Sequence, residues 1–141
     1  MTRMSADEAR AFLSAGSRTG KLATVRADGS PHVVPIWFVL DGDDCVFTTG
    51  EGTVKGKAIR RDPRVSLCVD EEVPAFAYVR VDGTAAISED LDEMLVWATR
   101  IAARYMGEDK AGAYGERNAV KGELLIRVTP AKIMGEKNIS D

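Results

Sequence analysis

Lys21-Leu22-Ala23-Thr24-Val25-Arg26, Ala27-Asp28-Gly29-Ser30-Pro31 and His32-Val33-Val34-Pro35-Ile36-Trp37-Phe38-Val39-Leu40 follow one another without a break, and the fold turns on them. Two strand-like runs flank an Asp-Gly pair, the strongest short-range signal for a hairpin. Asp41-Gly42-Asp43-Asp44 reads as a second turn and leads into a third run, Cys45 to Thr49. Val33 to Leu40 is apolar on both alternating faces, which predicts a strand covered twice, by a barrel interior and by a helix or a partner subunit. Arg64 to Asp70, Phe76 to Ile87 and, after Gly122, Glu123 to Thr129 complete a set of five or six short strands. Mostly hairpin-connected strands of this kind predict a small closed β-barrel rather than a doubly wound sheet.

Helices are punctuation in this pattern. Ser5-Ala6-Asp7-Glu8 has capping-box spacing, and Ala9, Phe12 and Leu13 recur at helical intervals before Gly16. A short helix starting near Thr53 ends before Pro63. A longer late helix carries Leu91, Met94, Leu95, Ala98, Ile101, Ala102 and Tyr105 as one apolar stripe, with Ser88 as its expected cap. The glycine-rich stretch between Met106 and Gly115 reads as a loop or a frayed helix.

A chain of 141 residues that is 45% apolar fits one domain spanning 1–141. Its formal charge of −3 argues against general nucleic-acid binding. Met1 to Leu13 lacks an apolar core of signal-peptide length, and the longest apolar run, Val33 to Leu40, is only strand-length, so a soluble cytoplasmic protein without membrane contact is expected. Cys45 and Cys68 sit in strand-like runs with no second cysteine pair and no adjacent histidine, which predicts buried reduced thiols and no metal.

Against this acidic background one segment is basic. Glu51 to Arg64 gathers Lys55, Lys57, Arg60, Arg61 and Arg64 against Glu51 and Asp62 only. It lies where a strand gives way to a helix, a place that suits a phosphate. The same residues also fit the solvated face of a short helix. Trp37 and Phe38 read as barrel core and groove wall, His32, the only histidine, falls near the barrel rim, and Trp97 and Tyr105 read as core or dimer contacts.

Three stretches, Gly20 to Val25, Asp28 to Phe38 and Lys55 to Leu67, resemble the split barrels related to pyridoxamine phosphate oxidase, and within them the deazaflavin-dependent oxidoreductases. The resemblance covers roughly Gly20 to Asp70. It implies a mainly β (α+β) split barrel of about six strands, with a short helix after the third strand and a longer late one. It implies that the ring of a flavin or deazaflavin lies against Val33, Val34, Pro35, Ile36 and Trp37, that Thr48 and Thr49 supply polar contacts, and that Lys55, Lys57, Arg60 and Arg61 meet the phosphate. Such proteins are homodimers with the cofactor in a groove between subunits. The segment Gly135 to Asp141 lacks the Arg-Leu-Ala-Pro type tail of true pyridoxamine phosphate oxidases, so vitamin B6 oxidation is not expected.

The resulting expectation is an oxidoreductase that uses reduced coenzyme F420 to deliver hydride to an unsaturated small organic acceptor. The redox chemistry then belongs to the cofactor, so no catalytic side chain and no metal are assigned. FMN in the same fold, a non-catalytic carrier or sensor of flavin, haem or tetrapyrrole, and a nucleic-acid module built on the basic helix stand as alternatives.

Overall fold

The computed structural model describes residues 1–141 as eight strands and four helices. β1 (Thr2–Arg3) and α1 (Ala6–Ser14) are followed by β2 (Gly20–Val25), β3 (Pro31–Ile36), β4 (Val39–Asp41) and β5 (Asp44–Gly50). Then come α2 (Val54–Arg61), β6 (Arg64–Glu71), β7 (Ala77–Ser88), α3 (Leu91–Met106), α4 (Glu108–Asn118) and β8 (Glu123–Lys137). Neighbouring strands run in the order β3-β2-β6-β7-β8-β5-β4, all antiparallel, with β1 beside the far end of β8.

This order forces the sheet to curl. β3 and β4 stand at opposite ends of the seven-strand path, yet only Trp37 and Phe38 separate them in the chain. Laid flat, the ends would lie about 29 Å apart at ~4.8 Å per strand. Three Cα–Cα steps reach no more than about 11 Å. The sheet therefore rolls until its edges meet at Trp37–Phe38, which makes the split barrel that the sequence implied.

The interior is filled from β2, β3, β5, β6, β7, β8 and the crossover, with Leu22, Ile36, Phe38, Phe47, Leu67, Val69, Val79, Val81, Leu124 and Ile126 all buried. α1 closes one end with Ala9 and Leu13, and α2 contributes Ile59. A smaller cluster on the outside, Val46 and Leu125 against Met94 and Trp97, seats α3 on β5 and β8.

Several expectations need correction. The Val33–Leu40 run is two strands, not one doubly covered strand: β3 is an edge whose outward Val33 stays 63% exposed. β5 is the strand covered on both faces, Cys45 and Phe47 from inside and Val46 by α3. β8 does not stop at Thr129 but continues to Lys137. Proline is tolerated there because the register slips between Asp82 and Gly83, a bulge that spares Pro130 the missing ladder donor. The cap of α3 is Asp90, whose carboxylate accepts from the N–H groups of Asp92 and Glu93, while Ser88 accepts from Asp90 N–H one step upstream. The buried stripe of α3 is also rotated, with Trp97 inside and Leu91 and Leu95 exposed.

The glycine-rich stretch is a helix, α4, lying along α3. Gly115 makes this possible, because a β-carbon there would run into Thr99, whose hydroxyl donates to Leu95 carbonyl at 2.7 Å. Helix propensity alone underrates such a segment, since the glycine that weakens the isolated helix lets the pair approach closely. Gly115→Ala is expected to lower stability by about 1–2 kcal/mol through overpacking. The check is a lower urea midpoint at unchanged slope, and an unchanged midpoint would contradict the tight crossing.

Candidate functional site

A cleft of about 340 Å³ opens at the split in the barrel. Pro35 and Ile36 end β3, Trp37 begins the crossover, Thr48 comes from β5 and Lys55 from the first turn of α2, with Thr19, Ile101 and Asn118 completing the wall. Residues distant in sequence meet here because the crossover brings both sheet edges together while α2, α3 and α4 close around them.

The crossover is held tightly. Trp37 stacks on Tyr105 with ring centroids 5.1 Å apart and planes only 2° from parallel. The Tyr105 hydroxyl donates to Arg18 carbonyl at 2.8 Å and accepts from Phe38 N–H at 3.3 Å, and burial raises its pKa. Arg104 donates to Phe38 carbonyl (2.7 Å) and also to the carbonyls of Leu13 (2.7 Å) and Gly16 (2.9 Å), satisfying the open end of α1. α3 thus fixes the crossover and α1 together with two consecutive side chains, leaving Trp37 40% exposed as the cleft wall.

The structure sorts the cationic cluster. Arg60 pairs with Glu89 at 3.1 Å, Arg61 donates to Val25 carbonyl at 2.9 Å and Arg64 binds Asp62 at 2.8 Å, so only Lys55 and Lys57 lack such partners. Lys55 is half-buried in the cleft. Lys57 stands about 200° further round the helix, exposed and outside the cleft. The first turn is organised by Thr53, whose hydroxyl accepts from Gly56 N–H (3.1 Å) and donates to Gly50 carbonyl (2.8 Å).

Of the other expected site residues, Pro35, Ile36, Trp37 and Thr48 line the cleft. Val33 and Val34 lie further along β3, outside it, and Thr49 is buried with its hydroxyl against that of Thr53 at 3.0 Å. Ile101 looked like one more apolar position of a helix, and Asn118 ends a helix whose stretch up to Gly115 reads as a loop or a frayed helix, so neither carried a usable signal. His32 faces Thr24 across the β2–β3 ladder, away from the cleft, and its Nδ1 is buried without a partner, as is the Thr24 hydroxyl. Trp97 is buried outside the barrel, with the guanidinium groups of Arg100 and Arg127 at 4.6 and 5.4 Å from its ring centroid. Both cysteines are free, and burial pushes the Cys45 thiol up to about 12. No group of three or more metal-ligating side chains is gathered anywhere, and no helix is long and apolar enough to cross a membrane.

A cleft walled by Trp37, itself stacked on Tyr105, with an edge strand offering unpaired backbone groups and a lysine without an ion-pair partner, fits a flat heterocycle bearing an anionic arm. The family model for pyridoxamine 5'-phosphate oxidase matches residues 5–135. The chain belongs to that family. Within it, the chain is 38% identical over 107 residues to the F420H(2)-dependent biliverdin reductase of Mycobacterium tuberculosis (strain CDC 1551 / Oshkosh), covering 74% of each protein. A solved structure described as an F420 reductase is 28% identical, with a TM-score of 0.68 over 87% of this chain and 94% of that one. A conserved hypothetical protein of Mycobacterium tuberculosis shares the fold more fully, with a TM-score of 0.83 at 24% identity over 97% of this chain and 87% of that one. Both solved structures share the overall fold of this chain.

Proposed function

We propose that this protein is an oxidoreductase using reduced coenzyme F420 to transfer hydride to an unsaturated small organic acceptor. The observation that carries this reading is Lys55, a half-buried cation without a partner at the mouth of an aromatic-walled cleft. The names of the 38% identical relative and of the F420 reductase structure support the same cofactor. When bound, the deazaflavin supplies the hydride, and it reacts poorly with oxygen because carbon replaces the N5 of a flavin. The protein's own part is binding, orientation and exclusion of water. Trp37, backed by Tyr105, forms one wall, Pro35 and Ile36 bring the β3 edge, Thr48 adds a hydroxyl, and Lys55 takes the phosphate. Lys57 is left to meet an anionic tail. No side chain in the cleft is assigned as acid or base, and solvent supplies the proton.

Oxidation of F420H2, followed by the return of cofactor absorbance, tests the reading. Reduced cofactor should be stable in air with the protein and be consumed only on addition of an acceptor, with biliverdin and other conjugated tetrapyrroles tried first. Tight FMN binding with turnover through FMN, and no affinity for F420, would overturn the cofactor while leaving the cleft as the site.

A homodimer belongs to the same proposal. The outer face of β3 leaves Val33 63% exposed beside the 40% exposed Trp37, apolar area that a two-fold partner would cover. Sedimentation should give twice the chain mass, and a monomer that binds cofactor at full strength would contradict a shared groove.

A further inference from the structure

The start of α2 and the end of α4 are tied together. Glu51 N–H donates to Gly122 carbonyl at 2.9 Å, and beside that bond Gly50 pairs in register with Glu123. Lys55 lies four residues beyond Glu51 and Asn118 four residues before Gly122, so the two reach the same cleft from adjoining segments. Asn118 is the last residue of α4, whose final turn is closed by Ala119 N–H on Gly115 carbonyl at 2.9 Å, and Gly115 in turn seats the helix against Thr99. Helix packing, not a free loop, sets where Asn118 stands.

The side chain of Asn118 is not spent on the protein. Its carboxamide makes no hydrogen bond within the chain, yet it is not among the fully buried polar atoms without a partner, which are Nδ1 of His32 and the hydroxyl of Thr24. Half-buried and lining the cleft, it is open to whatever enters and can donate two N–H bonds. The helix ends do not decide what that is, because α2 begins where α4 ends and their opposite end charges offset one another. Lys55 decides it, since its ammonium draws an anion. A phosphate has more acceptor oxygens than one ammonium can serve, and an oxygen left without a donor at a partly dry site weakens binding. We propose that the Asn118 carboxamide is the second phosphate ligand of the cleft, donating an N–H to an oxygen that Lys55 does not serve. This deepens the proposed function and rests on its reading that Lys55 holds the cofactor's phosphate.

The experiment is fluorescence titration of the full chain, at fixed low salt, with F420 and with its phosphate-free riboside, which keeps the deazaflavin ring and the ribityl chain. Wild type is compared with Asn118→Leu, Asn118→Asp and Lys55→Ala. Asn118→Leu should weaken F420 by roughly tenfold and the riboside by less than about twofold, the retained riboside affinity showing an intact cleft. Asn118→Asp keeps the shape but sets a carboxylate beside Lys55, where it competes for the ammonium and repels the phosphate. F420 should then weaken by roughly a hundredfold, with the riboside again little changed, and the excess over the Leu variant should shrink at high salt. A Leu variant that binds F420 like wild type overturns the proposal. So does one that loses F420 and riboside equally, because Asn118 then faces the ring. Equal losses in the Leu and Asp variants also overturn it, since a carboxylate against a phosphate must do worse than an apolar side chain. If Lys55→Ala weakens F420 selectively while the Asn118 variants are silent, only this proposal fails; if Lys55→Ala leaves F420 unaffected, the phosphate is not at Lys55 and both readings fall.

Discussion

Lys55→Ala is expected to weaken binding of F420 by about 1.5–3 kcal/mol, roughly 10- to 150-fold, the range of a charge-assisted hydrogen bond at a partly dry site. The size follows from the surroundings of Lys55. It is half-buried, lines the cleft and has no carboxylate within ion-pair distance, so its charge is available to a ligand rather than spent on the protein. Lys57→Ala is expected to cost less than about 1 kcal/mol, because an exposed ammonium is screened by solvent. The sequence alone gives no reason to separate these two lysines. Helix geometry does, since positions two apart face nearly opposite ways. Equal losses in the two variants, measured by titration of cofactor fluorescence, would show that the helix does not present Lys55 alone.

Arg104→Met should be the most damaging single change, lowering stability by at least about 3 kcal/mol. Its guanidinium serves the carbonyls of Leu13, Gly16 and Phe38, and bonds from a charged donor are worth about 1.5–3 kcal/mol each before non-additivity. Removing it strands the end of α1 and loosens the crossover that holds Trp37, so stability and cofactor affinity should fall together. Arg104→Lys should recover little, because one ammonium cannot reproduce a planar fork aimed at carbonyls on separate segments. Burial holds the Arg104 pKa below its ordinary value, yet a guanidinium stays protonated at any pH where the protein is studied, so the loss should not depend on pH near neutrality. Urea denaturation is the measurement, and a loss below about 1 kcal/mol would mean that Arg104 is ornamental to the crossover.

Local chemistry in the sequence was sufficient for several of the elements. The capping box of Ser5 and Glu8, the Asp-Gly turn after β2 and the start of α2 at Thr53 each depend on residues within a few positions of one another. The motif stretches carried the split barrel and pointed at Pro35, Ile36, Trp37, Thr48 and Lys55, which the fold gathers round one cleft. Three features were beyond local reading. The break at Trp37–Phe38 leaves no mark in an unbroken apolar run, because an apolar residue satisfies a sheet edge and a crossover equally well. Gly115 speaks against a helix until Thr99 stands opposite. The continuation of β8 past Pro130 depends on a bulge shared with Gly83 on another strand.

The sequence by itself determined the alternation, the caps and a net excess of positive charge in one segment, since these are properties of neighbours along the chain. Only the tertiary structure decided which charges remain available. Arg60 and Arg61 are neutralised or occupied by Glu89 and Val25, partners 29 and 36 residues away, while Lys55 is left without a partner in a cleft whose other walls arrive from β3, β5, α3 and α4. A charge acts through its distance to other charges and to water, and those distances exist only once the sheet has rolled and its two edges have met.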